Sequence, residues 1–313
     1  MKKWLIILVA FIAIAIASVY IIIPRNLVVS SITPMYTNYT SAVEYASNEE
    51  NWTKWWPGKL EKVGDRTIAT YKDITYHIVS KSYNNTQIAL DYNKKTTIVN
   101  LAVAGFSHDS IRVICQYNDT ASMNPFTRIN HYNRAVYIKQ NIKEVMQQLE
   151  RFLEKPSNIY GFNVISTIVK DTALMSTKTY LNHTPSTIEV YKLVNELRRH
   201  IQQQGATIIN APMLNVTKET ETSYKVMVAI PVNHTVAETN TIQLRRMVIG
   251  RILESDSIKG GPSTVEQSFK MFEKYFADFK HSSPAIPYQQ LITDREKETD
   301  TTKWITRFYY PIF

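Results

Sequence analysis

The hydrophobic pattern divides the chain into three stretches. The first, Trp4 to Ile23, carries no charge and lies between Lys2-Lys3 and Pro24-Arg25. About 20 apolar residues rising 1.5 Å each cross a hydrocarbon core of roughly 30 Å, so this run predicts a membrane-spanning helix. The second stretch opens with an extended segment, Leu27 to Ile32, and a short helix around Thr40 to Ser47, followed by Trp52, Trp55 and Trp56 and closed by Pro57-Gly58. Alternating, β-branched runs follow at Thr67 to Tyr71, Thr75 to Val79, Gln87 to Tyr92, Thr96 to Val103 and Ser110 to Tyr117. Ile138, Ile142, Val145, Leu149 and Phe152 then recur at helical spacing, which predicts a helix from about Asn133 to Glu154 that stops at Lys155-Pro156.

After a short linker containing Asn158 and Gly161, the third stretch repeats itself. Thr184-Pro185-Ser186-Thr187-Ile188-Glu189 returns as Gly261-Pro262-Ser263-Thr264-Val265-Glu266, each with a Ser three residues before a Glu. That is the spacing of a capping box, so both copies predict a helix start. The helices carry matching stripes: Val190, Val194, Leu197 and Ile201 in one, Val265, Phe269, Phe272 and Phe276 in the other. A strand from Thr172 to Tyr180 precedes the first helix. Behind it, Pro212-Met213-Leu214 is echoed by Pro287-Tyr288-Gln289, and the strand Tyr224 to Val232 by Trp304 to Ile312. The unit is β-α-β-β, present twice, at about 164–232 and 246–313. One copy alone would leave a sheet face bare; two related by a pseudo-twofold share a core and leave a crevice between them.

These patterns carry two family resemblances. The order strand, short helix, antiparallel meander and long helix, together with Asn51-Trp52-x-x-Trp55-Trp56-Pro57, resembles the START-like, polyketide-cyclase-like superfamily (SRPBCC). That resemblance implies a helix-grip fold over residues 27–156, with a cavity for lipids or other apolar molecules. The duplicated half, residues 160–313, resembles the GyrI-like small-molecule-binding domain, also found as the effector-binding part of multidrug-sensing transcription activators. It rests on the duplication, the capped helices, the Ile-Pro-Val and Tyr-Tyr-Pro-Ile strand ends and the segment Pro287 to Asp294. In that family a crevice Glu, followed two residues later by a Tyr, pairs with cationic ligands and in some members is implicated in hydrolysis. The matching positions here are Gln289 and Leu291, so the chain departs at both. A Gln amide offers only neutral donors and acceptors, which argues against catalysis and against cation selectivity.

Composition adds constraints. The formal net charge is +9 and the pI about 9.3, yet Lys and Arg are spread without a basic block, and no zinc-finger or helix-turn-helix spacing is present; nucleic acid is not expected as a partner. The single Cys115 excludes an intrachain disulfide and reads as a small hydrophobe in a strand. His77, His108, His131, His183, His200, His234 and His281 form no pair at metal-ligand spacing, and no nucleophile elbow, Walker loop or dinucleotide fingerprint occurs, so neither metal nor cofactor is expected. A cleaved signal peptide ending near Ala15-Ile16-Ala17 is the alternative to an anchor over residues 1–26, but cleavage there would leave Val19 to Ile23 as an apolar tail. Lys2 and Lys3 against Arg25 predict a cytoplasmic N-terminus and extracytoplasmic domains in a bacterial cell membrane.

The expected fold is therefore α+β, a helix-grip domain followed by a duplicated β-α-β-β domain with a central crevice. The expected function is a membrane-anchored protein that binds an apolar or amphipathic small molecule. A GyrI-like hydrolase and a protein-interaction module are the alternatives. Candidate ligand-binding residues are Tyr191, Tyr224, Gln289, Leu291, Trp304 and Tyr309 in the crevice, and Trp52 and Trp55 in the helix-grip cavity. For the two tryptophans, packing of the first helix onto the sheet is the default reading; no catalytic residue is assigned.

Overall fold

The protein is described here by a computed structural model covering residues 2–82, 85–107, 109–169 and 172–313. It is α+β and forms two compact units, Met1–Lys155 and Pro156–Phe313.

Unit 1 begins with α1 (Lys2–Ile22), the one described helix long and apolar enough to cross a membrane. β1 (Asn26–Met35) leads to α2 (Tyr39–Ser47) and α3 (Glu49–Trp52), then to β2 (Lys59–Val63), β3 (Arg66–Tyr71), β4 (Ile74–Lys81), β5 (Asn85–Tyr92), β6 (Lys95–Gly105) and β7 (Ile111–Thr120). The seven strands form one antiparallel sheet in the order β1-β7-β6-β5-β4-β3-β2. The long helix α4 (Pro125–Leu153) lies against it, burying Ile138, Ile142, Val145, Leu149 and Leu153. This is the helix-grip arrangement. β2 escapes the sequence pattern because Lys-Leu-Glu-Lys-Val is an edge strand with almost no buried position to impose alternation. α4 starts two turns earlier than its apolar stripe suggests. Asn124 caps it, accepting from the Phe126 and Thr127 amides at 3.0 and 3.2 Å, and the buried side chain of the early turns is Arg128.

Unit 2 contains α5 (Pro156–Tyr160), β8 (Val164–Val169), β9 (Ala173–Leu181), α6 (Thr187–Gln203), β10 (Met213–Thr220), β11 (Ser223–Val232), β12 (Gln243–Arg246), β13 (Gly250–Ser255), β14 (Ile258–Lys259), α7 (Pro262–Asp278), β15 (Tyr288–Leu291) and β16 (Ile305–Ile312). The stretch expected as a linker is instead the short helix α5, and Tyr160 and Phe162 are buried in the core beneath α7. The sheet order β12-β9-β11-β10-β15-β16-β13-β8 contains the duplication. β9-β11-β10 of the first copy is met by β15-β16-β13 of the second, the reversal that a twofold axis between β10 and β15 requires. At that axis Met213 pairs with Gln290 and Leu214 with Gln289.

The helices of the two copies start differently. At α6 the capping box forms in both directions: the Glu189 amide donates to Ser186 Oγ at 3.3 Å and the Ser186 amide to Glu189 Oε2 at 2.8 Å. At α7 it does not form. Pro262 supplies the first helical residue, Gly261 becomes the cap without a side-chain bond, and Glu266 pairs with Lys270 at 2.8 Å. Ser186→Ala is therefore expected to cost about 1 kcal/mol in urea melts, and Ser263→Ala to stay within about 0.5 kcal/mol.

Candidate functional site: the crevice of unit 2

Strict alternation along the central strands sorts unit 2 into two faces. Leu214 on β10, Val226, Val228 and Ile230 on β11, and Leu291 on β15 join α6 in one core; Phe308 and Ile312 on β16 join α7 in the other. The intervening residues line two adjoining cavities on the opposite face, of about 170 Å³ and about 320 Å³. Met213, Asn215, Tyr288 and Gln290 stand at the centre, two from each copy.

The smaller cavity is apolar, walled by Leu174, Met213, Met227, Met247, Ile286 and Tyr288. Three methionines give it adaptable walls, since an unbranched thioether refits itself to different shapes at small cost. The larger cavity shares Leu174, Met213, Met247 and Tyr288 and adds a polar wall of Glu254, Gln290 and Tyr309. Tyr309 stacks on Tyr288 with ring centroids 4.9 Å apart, and its hydroxyl lies 3.1 Å from both Glu254 Oε1 and Gln290 Oε1. A phenol has one proton. The carboxylate accepts it in a hydrogen bond, and rotation of the Gln290 amide presents an N–H to the phenol oxygen. Burial pushes the phenols of Tyr288 and Tyr309 above their ordinary range, Glu254 adding to the rise at Tyr309, so both stay neutral donors. Arg307 Nη1 sits 2.9 Å from Glu254 Oε1 and neutralises it. The crevice thus offers an apolar pocket beside a charge-compensated polar wall.

Of the residues expected to line this crevice, Tyr309 does so, while its neighbour Tyr310 stacks on Phe276 in the core at 3.8 Å. Gln289 and Leu291 are corrected: they lie on the helix side of β15, Leu291 within the core around α6, because Tyr288 and Gln290 take the crevice face. Tyr191 is corrected too; it is buried in the α6 core, and its hydroxyl donates to the Thr293 carbonyl and accepts from the Arg295 amide. Trp304 is likewise a fastener, donating Nε1–H to the Glu298 carbonyl at 2.8 Å beneath the Arg295 guanidinium. Tyr224 is half-buried at the start of β11 and lines neither cavity. Sequence reasoning missed Glu254, Tyr288, Gln290 and the methionines. The repeat held the signal, since Met213 aligns with Tyr288 and Leu214 with Gln289.

In unit 1, Trp52 and Trp55 are buried and donate their indole N–H groups to the Ala46 and Tyr45 carbonyls at 3.1 and 3.0 Å. Trp56 stacks on Trp52 at 5.0 Å, and the space left among them is about 20 Å³, room for about one water. The expected helix-grip cavity is filled by its own tryptophans, which corrects Trp52 and Trp55 as ligand contacts. Cys115 lies in the wall of that space, its thiol pushed up to about 12 by burial. Among the described residues no group of His, Cys, Asp and Glu is placed to hold a metal ion; His108 lies outside them.

No family model and no curated protein matches the sequence. Among solved structures, the chain is similar to the EcmrR C-terminal domain at 14% identity and a TM-score of 0.42, over 49% of this chain and 98% of that one. It is similar to EcmrR in a complex with DNA at 14% identity and a TM-score of 0.44, over 60% and 70% of the two chains. A hydrolase from Listeria innocua follows at 11% identity and a TM-score of 0.38, over 48% and 92%. These likenesses concern fold alone. One expectation is corrected: EcmrR, to which the chain is similar, is in a complex with DNA, and the exclusion of nucleic acid as a partner does not stand.

Proposed function

We propose that unit 2 binds an apolar or amphipathic small molecule in its crevice and that α1 holds the protein in a membrane, with the two units on the extracytoplasmic side. The observation that carries this reading is the pair of adjoining cavities on the helix-free face of the duplicated sheet, one walled by methionines and the other polar but charge-compensated. An apolar ligand body gains by leaving water for the first, and its polar end finds donors and acceptors on Tyr309, Gln290 and Asn210 in the second. Glu254 is committed to Arg307 and Tyr309, which favours binding over hydrolysis. The orientation rests on Lys2 and Lys3 against Arg25. The helix-grip unit retains its START-like resemblance in element order, with its centre given to packing, and residues 27–156 and 160–313 serve as separate domains.

Ala229 faces the smaller cavity from β11. In a fragment spanning 156–313, Ala229→Trp is expected to weaken binding of the neutral dye N-phenyl-1-naphthylamine at least about tenfold, or 1.4 kcal/mol, by occupying the space the dye needs. Unchanged affinity in a folded variant would place the binding site elsewhere.

A further inference from the structure

The end of α1 is built into unit 1. Ile23, just beyond the helix, is buried, and its carbonyl accepts from Arg128 Nε at 2.9 Å. Arg128 is 4% exposed, and its guanidinium lies 4.8 Å from the centre of the Tyr20 ring. The Tyr20 hydroxyl donates to the Met123 carbonyl, and the Ala121 amide donates to the Arg25 carbonyl at 2.7 Å. Four contacts thus tie the end of α1 and the residues just after it to the corner between β7 and α4.

That corner carries two uncovered apolar side chains: Met123 is 66% exposed and Phe126 76%. Its level along α1 follows from the contacts. Ile21 and Ile22 lie beyond Tyr20 on the helix and are 83% and 72% exposed, so if α1 spans a bilayer, lipid must still cover residues past the one that holds Met123. Met123 lies one tyrosine's reach from Tyr20, in the zone where chain passes from hydrocarbon to headgroups. Tyr20 and Arg25 are residue types that favour that zone. Among the described residues of unit 1 nothing covers most of these two side chains, and the solvent at that depth does.

We propose that the corner from Met123 to Phe126 is a membrane-interface contact, inserted among the lipid headgroups beside the emerging helix, which fixes how unit 1 stands on the bilayer. The proposal rests on reading α1 as a span. It replaces the flexible tether usual for an anchored domain by a seat of defined orientation.

The test uses the full chain in phosphatidylcholine vesicles. Cys115→Ala removes the only thiol, and single cysteines are introduced by Phe126→Cys, Ile12→Cys in the span, and Asp109→Cys. Asp109 precedes β7 at the end opposite Ala121, and the 10 residues of the strand between them span about 30 Å at about 3.3 Å per residue. Each is labelled with bimane and exposed to lipids carrying a nitroxide near the headgroup or deep in the acyl chain. The label at 126 is expected to lose most of its emission to the shallow nitroxide, the label at 12 to the deep one, and the label at 109 to neither. A label at 126 that behaves like 109 while 12 is quenched overturns the seat and leaves the span intact, whether water or another protein covers the corner. If 12 is unquenched as well, the span itself fails and the seat with it.

Discussion

Arg307→Gln is expected to turn the crevice into a cation site. Glu254 is largely buried and has two partners, Arg307 at 2.9 Å and the Tyr309 hydroxyl at 3.1 Å. Removing the guanidinium leaves the carboxylate beside an apolar cavity with only the phenol to hold it. Half of the Arg307 side chain lies in solvent, so the loss of stability is modest, about 1–2 kcal/mol in urea melts. A lipophilic cation such as tetraphenylphosphonium then supplies the missing charge, and its affinity should rise about tenfold or more while that of a neutral dye stays level. Fluorescence titration with a cationic and a neutral probe checks both halves. Equal responses from the two would mean that Glu254 does not face the ligand.

The largest effect on stability is expected at Phe308. It is fully buried at the centre of the second copy, with the rings of Phe269, Phe272 and Phe162 at 5.2, 5.8 and 6.2 Å. Phe308→Ala removes the ring that all three touch, and these three aromatic walls cannot collapse into the space without leaving their rotamers. A loss of about 3–5 kcal/mol follows, read from the urea midpoint of unit 2. Tyr309→Phe, on the opposite face of the same strand, should leave the midpoint nearly unchanged by comparison. Similar losses at both positions would contradict the assignment of faces on β16.

What could be read from the sequence was what is encoded locally. The stripe of α6 and its Ser186-Glu189 box are short-range features, and they appear as expected. The same letters at Ser263 and Glu266 form no box: there the helix starts one residue earlier, at Pro262 with Gly261 as its cap, although Pro185 holds the matching place before Ser186. α4 hid its first two turns because their buried residue is Arg128, whose task is to hold the Ile23 carbonyl and not to extend an apolar stripe. The crevice face was misassigned for a different reason. A family resemblance pointed to Gln289 and Leu291, while the repeat set Leu214 and Val216, both on the core side, against those same positions. Period-2 reasoning applied across the two copies identifies Tyr288 and Gln290 directly. Glu254 was harder to find, since Ile252 and Leu253 bury both faces of a strand whose neighbours arrive from distant parts of the chain. Packing was the default sequence reading of the tryptophans, but how fully they close the centre of unit 1 was not legible: the helix-grip order is compatible with an open cavity, and the three indoles packed against Tyr76 and Met146 leave little of it.

The central claim is that unit 2 takes a small molecule between its two copies, and its methionines report on this directly. Met213, Met227 and Met247 line the crevice, whereas Met175 lies in the α6 core and Met271 packs against the α7 core. With methyl-13C-methionine in residues 156–313, titration with N-phenyl-1-naphthylamine is predicted to shift the first three resonances along one saturable curve and to leave Met175 and Met271 in place. Absence of saturable shifts at Met213, Met227 and Met247, or shifts confined to Met175 and Met271, would contradict the account.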